Sequence, residues 1–187
     1  MGDIGTHAYH LADFVTGIRV TELLAELTTF VPKRRLDDNA QILLRYANGA
    51  CGSLWASQVA PGNENNLKLR VYGSRGGLEW HQEQPNHLYW SPFGKPTRRL
   101  SRAGAGVGIA AMRVSRIPAG HPEGFLEGFA TIYTEAAAAI RAARHAKSPG
   151  KAVLFPTIDD GVNGVAFIAA AITSSRRGGV WTKLDWR

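Results

Sequence analysis

Residues 40–59 read AQILLRYANGACGSLWASQV. Apolar and polar side chains alternate on both sides of Asn48-Gly49, a dipeptide that tolerates the positive φ values of a tight hairpin turn. The pattern predicts two antiparallel strands, 40–47 and 50–59, joined at Ala47-Asn48-Gly49. The same two-residue period continues outward. Upstream, Leu23, Ala25 and Leu27 alternate with Glu22 and Glu26. Downstream, Leu67, Leu69 and Val71 alternate with Lys68, Arg70 and Tyr72, and the glycines of GSRGG (73–77) turn the chain into Leu78 and Trp80. Residues 87–91 and 97–101 form further short strands around the Pro92–Pro96 turn. Connections this short imply antiparallel pairing, so the expectation is an open, mainly antiparallel sheet of about six strands.

Helical periods flank these strands. Ala8, Leu11, Phe14/Val15 and Ile18 recur at helical intervals, with Gly17 as a natural stop. Residues 123–146 place Phe125, Phe129, Ile132, Tyr133, Ala136 and Ile140 on one stripe. A last helix is expected over 158–176, opened by a capping-box pair of Thr157 and Asp160 and closed by Gly178-Gly179. A strand over Val180–Trp186 follows, and the Gly/Ala/Pro-rich residues 103–122 read as a long, mobile loop. The order predicts a single α+β domain over 1–187, with helices packed on one face of the sheet and no Rossmann domain.

Composition narrows the partners. The chain has 187 residues, 44% hydrophobic and 20% charged, a globular rather than a disordered mix. One cysteine, Cys51, excludes an internal disulfide and fits a reducing compartment, so a cytoplasmic protein is expected. No apolar run suggests a membrane span, and no secretory signal is visible at the start. The net charge is +7, but its arginines come as scattered pairs without interleaved aromatics. No membrane and no nucleic acid are therefore expected as partners.

Two stretches raise questions of chemistry. GAGVG (104–108) has the glycines of a dinucleotide loop but neither the strand before it nor the acidic residue after it, so no cofactor-binding residues are assigned. GDIGTHAYH (2–10) sets Asp3, His7 and His10 at helical spacing i, i+4 and i+7, on one face. A zinc site needs three or four ligands, and nothing nearby completes His7-x-x-His10 beyond Asp3; no metal is assigned. Asp3 and His7 fit proton-transfer chemistry, in which a carboxylate one turn away orients a neutral imidazole. They equally fit ordinary polar positions, since an acidic residue at a helix start favours the dipole. Only Met1 and Gly2 precede Asp3, so this first turn is expected to fray.

GDIGTHAYHLADFVTG (2–17) resembles the helix that opens the C-terminal domain in the glucose–fructose oxidoreductase/inositol dehydrogenase/MocA family. The matching positions are Asp3, Gly5, His7 and His10. LRVYGSRGGLEW (69–80) is similar to a hairpin of that family. WASQVAPGNEN (55–65) and PAGHPEGFLEGFATIY (118–133) look like its sugar-dehydrogenase subgroup. DDGVNGVAFIAAAITSSRRGGVW (159–181) is similar to its closing helix and strand.

The resemblance implies an oxidoreductase that moves hydride between a sugar or polyol carbinol and NAD or NADP. It implies His7 as the general base and Asp3 as the group that holds the reacting or neighbouring hydroxyl. His10 stands where an acidic residue is common, and it joins the substrate contacts. His121 fits a substrate contact and, equally, a surface loop histidine. The family's Rossmann half and its Glu-Lys-Pro lysine have no counterpart here; the one Lys-Pro is Lys95-Pro96. The chain alone is therefore expected to bind no cofactor and to be inactive. It would be the substrate-binding and assembly half of the enzyme, homo-oligomeric through its open sheet face and served by a separate Rossmann-domain chain. A truncated reading frame, an excised fragment and a split-enzyme subunit all fit. The alternative is a non-catalytic remnant that self-associates, with Trp55 and Tyr72 on its open face, and binds carbohydrate.

Overall fold

The computed structural model describes residues 1–151 and 153–184. Its elements run α1 (Ile4–Thr16), β1 (Val20–Thr28), β2 (Asn39–Tyr46), β3 (Cys51–Ser57), β4 (Lys68–Gly73), β5 (Gly76–His81), β6 (His87–Pro92), β7 (Arg98–Ser101), α2 (Ile109–Val114), α3 (Phe125–Arg144), α4 (Ile158–Arg176) and β8 (Thr182–Lys183). The α+β class and the open antiparallel sheets are as expected. The strands divide into two four-stranded sheets, ordered β3-β2-β1-β8 and β4-β5-β6-β7. Each sheet belongs to its own compact unit, one built from Met1–Glu64 and Thr157–Arg187, the other from Asn65–Pro156. Of the strand expected over 180–186, Thr182 and Lys183 pair with Leu23 and Glu22, while residues 185 and 186 lie outside the described residues.

In the first unit the alternation read from the sequence becomes a core. Leu23 and Ala25 of β1 lie opposite Leu44 and Ile42 of β2, and Ile42 lies opposite Leu54 of β3. All five are buried. A bulge between Val20 and Glu22 adds one residue to β1, which lets Val20 and Leu23 both face inward despite their odd spacing. Phe167, Ala170 and Ala171 of α4 close the core, and Tyr9 of α1 stacks on Phe167 with ring centroids 4.2 Å apart. The Asn48-Gly49 turn forms as expected, with Gly49 at φ 84° and its N–H donating to the Tyr46 carbonyl. Helix α4 also opens as expected: the Asp160 carboxylate accepts the Thr157 N–H at 2.6 Å and the Thr157 hydroxyl at 2.9 Å.

The start of α1 is held rather than frayed. Met1 is buried, its carbonyl accepts the Gly5 N–H at 3.0 Å, and its ammonium pairs with Asp37. Its sulfur fills the space a Cβ on residue 5 would need.

The second unit is a four-stranded meander followed by α2 and α3. Gly76, at φ +145°, opens β5 where a Cβ would be driven into the Ser91 carbonyl and come within 3.0 Å of Pro92 Cα, so only glycine fits. Within 103–122 the sequence reading found only loop, and the structure holds the six-residue α2 there. The stripe on α3 is real but outward: Phe125, Phe129, Ile132, Tyr133 and Ile140 are exposed. The buried residue of that helix is Glu135, which accepts the Leu154 N–H at 2.7 Å and pairs with Arg113 at 2.8 Å. Trp55 and Tyr72, expected on one sheet face, belong to different sheets.

Candidate functional site

Helix α1 carries Asp3, His7 and His10 as the spacing predicts. Asp3 is the N-cap residue, and no side-chain cap bond engages it. Asp3 and His7 are both exposed, and among the described residues neither side chain has a hydrogen-bond partner. A carboxylate and an imidazole one turn apart, both open to solvent, are free to meet a hydroxyl group of a ligand.

His10 has a different environment. It is half-buried and its charge acts on two carboxyls, Asp13 of its own helix and Asp160 of α4. Burial pushes the Asp13 carboxyl upward, and His10 partly offsets this. The Thr157 N–H holds Asp160 below the usual carboxylate range despite some burial, with the Thr157 hydroxyl and His10 adding to the effect. Beside them Tyr9 is buried, its hydroxyl has no partner among the described residues, and burial drives its ionisation far upward. No three His, Cys, Asp or Glu side chains among the described residues are placed to hold a metal ion.

His121 lies in the second unit, exposed, on the segment that joins α2 to α3. That segment is not the mobile loop expected from its composition. Arg102 donates from Nη1 to the Ile117 carbonyl at 2.7 Å and from Nη2 to the His121 carbonyl at 2.7 Å and the Pro118 carbonyl at 3.3 Å. Its Nε reaches Asn86 Oδ1 at 2.8 Å, and Nη1 pairs with the Glu123 carboxylate at 2.6 Å. Glu123 in turn accepts the N–H groups of Arg116 at 2.9 Å and Ile117 at 3.3 Å. An open depression of about 410 Å³ lies in this unit between residues 83–87 and 122–124. Sequence reasoning missed Arg102, Glu123 and Asn86, because no local pattern joins residues so far apart in the chain.

A family model described as the GFO/IDH/MocA C-terminal domain matches residues 1–79. Over 98% of its length the chain is 32% identical to the uncharacterized oxidoreductase YfiI of Bacillus subtilis (strain 168), of which it spans 47%. Among solved structures, an oxidoreductase from Sinorhizobium meliloti is 57% identical and superposes on 97% of this chain with a TM-score of 0.92, over 51% of its own length. The chain belongs to the GFO/IDH/MocA family, as its C-terminal domain. An inositol dehydrogenase homolog from Azotobacter vinelandii, crystallised with NADH and myo-inositol, is 35% identical with a TM-score of 0.89; the match covers 97% of this chain and 48% of that one. This GFO/IDH/MocA chain thus spans about half the length of the relatives it matches.

The family implies a nicotinamide dinucleotide, and the described residues do not fit one. A dinucleotide loop joins a parallel strand to the N-terminus of a helix long enough to present its dipole to the pyrophosphate. GAGVG instead joins β7, the antiparallel edge strand of its sheet, to the six-residue α2. No helix among the described residues is long and apolar enough to cross a membrane.

Proposed function

We propose that this chain is the substrate-binding and assembly half of an NAD(P)-dependent sugar or polyol oxidoreductase of the cytoplasm. The observation that carries this reading is the exposed, unpartnered pair Asp3 and His7 on α1, inside the stretch matched to the family. In this reading His7 takes the proton of the hydroxyl undergoing oxidation, and Asp3 accepts a hydrogen bond from that hydroxyl or its neighbour. His10 and His121 contribute further substrate contacts. Hydride transfer needs a nicotinamide cofactor bound by a separate Rossmann-domain polypeptide.

The A. vinelandii relative supports a polyol as substrate class, since its structure holds myo-inositol. The test mixes the chain with the remaining half of the S. meliloti oxidoreductase and follows polyol-dependent reduction of NAD or NADP. The chain alone is expected to give no turnover, and the mixture to give turnover that His7→Ala removes. Turnover unchanged in His7→Ala refutes the assignment of the base.

A second reading rests on the outer sheet faces. Leu43 and Trp55 stand exposed in the first unit, and Tyr72 in the second. Such apolar surface favours a homo-oligomer, with or without catalysis. Sedimentation at micromolar concentration separates the readings: a monomer removes the self-associating one.

A further inference from the structure

We infer that Arg102 is a positioning residue that presents His121 to a polyhydroxylated ligand by holding residues 115–124 as a preformed contact loop. This rests on the reading above that His121 contacts substrate. The argument begins with where the donors of the guanidinium go. Arg102 offers five N–H donors in a rigid fork. They reach the carbonyls of Ile117, Pro118 and His121, the Glu123 carboxylate and the Asn86 side chain. Asn86 Oδ1 also accepts the Glu123 N–H at 3.1 Å, and the Arg102 N–H donates to the Asn86 carbonyl at 2.8 Å. Every bond ends on the main chain of 116–123 or on a side chain that anchors it.

The pair at the centre lies inside the unit, with side-chain exposures of 16% for Arg102 and 5% for Glu123. Burying such a pair yields little net stability compared with apolar residues of similar size; its yield is a defined geometry. The geometry defined here is that of a surface segment whose one imidazole, His121, faces solvent without a partner among the described residues. Pro118 and Pro122 restrict the backbone on either side of it. A ring whose own carbonyl is tied down costs less to order when a ligand arrives. A lysine at 102 keeps the charge opposite Glu123 but loses the fork that spans three carbonyls.

The test uses the full chain, isotopically labelled, as wild type, Arg102→Lys and Asn86→Ala. Amide exchange is measured at Arg116, Ile117 and Glu123, and the imidazole signals of His7 and His121 are followed while myo-inositol is added. In wild type both rings are expected to respond. In Arg102→Lys those three amides exchange about tenfold faster or more, the His121 response falls several-fold, and the His7 response and the sheet amides stay as they were. Asn86→Ala gives the same changes in weaker form. A silent His121 beside a responding His7 overturns this inference and leaves the parent reading standing. Silence at both rings overturns the parent reading and this inference with it. Wild-type exchange and a wild-type His121 response in both variants overturn the positioning role.

Discussion

The hydroxyl of Ser174 accepts the main-chain N–H of Ala25 at 2.9 Å and donates to the Val180 carbonyl at 2.6 Å, with no surface of Ser174 exposed. Strand β8 pairs only with Glu22 and Leu23, so β1 runs on past it as an open edge. Helix α4 covers that edge with side chains: Ser174 takes the Ala25 N–H and Ser175 takes the Leu27 N–H at 3.1 Å. Ser174→Ala leaves a buried donor unpaired. The expected cost is about 1–3 kcal/mol, read as a lower urea midpoint at unchanged slope. Ser175→Ala, at a half-buried position, is expected to cost less.

Tyr9 presents the opposite case. Its ring stacks on Phe167, but its buried hydroxyl has no partner among the described residues. Tyr9→Phe keeps the ring and removes the unsatisfied group. The variant is expected to be more stable by about 1 kcal/mol. Clear destabilisation in denaturant titration would show that the hydroxyl has a partner, such as a bound water.

Gly76→Ala tests the β5–β6 hairpin. The added methyl meets the Ser91 carbonyl and Pro92 Cα at a backbone angle that L-residues avoid. A loss of about 1–3 kcal/mol is expected, with the fastest amide exchange appearing along β5 and β6.

Asp38 sets an acid limit. The Phe30 N–H at 2.8 Å holds its carboxyl below the usual range despite burial, helped by the Val31 N–H at 3.0 Å and by Arg34. Its folded pKa is depressed relative to the unfolded chain. Its stabilisation is therefore fully present above about pH 4, the ordinary aspartate value, and is lost as pH falls through the lower folded pKa. Asp38→Asn is expected to flatten the stability profile in that acid window, measured by denaturant midpoints from pH 5 downward.

The catalytic prediction concerns Asp3 and His7 in the reconstituted enzyme. His7→Ala is expected to lower turnover by about 10²–10⁴-fold, the usual weight of a general base. Asp3→Asn keeps the size but weakens the acceptor, and is expected to raise the apparent KM as well as lower kcat. Both side chains are exposed and free of partners in the described structure. Thermal unfolding of both variants should match wild type.

Much of this protein was legible in local chemistry. Helix α4 begins and ends where its signals stand, because a capping carboxylate at Asp160 and the positive-φ glycines 178 and 179 act within a few residues of chain. The β2–β3 hairpin follows from Asn48-Gly49 for the same reason, and Asp3, His7 and His10 share a face because the helical repeat allows nothing else. Partnering was not legible. Strand-forming segments do not say which of them pair, so one expected meander became two sheets. The stripe on α3 announced an amphipathic helix, yet the side that met the rest of its unit was the one carrying Glu135, because Arg113 and the Leu154 N–H were there to satisfy a buried carboxylate. The loop expected to move is tied by Arg102 through partners at 86, 117, 118, 121 and 123. Periodicity, caps and turns act over a few residues and can be read from order alone; which donor meets which acceptor across such separations is settled only when the chain has packed.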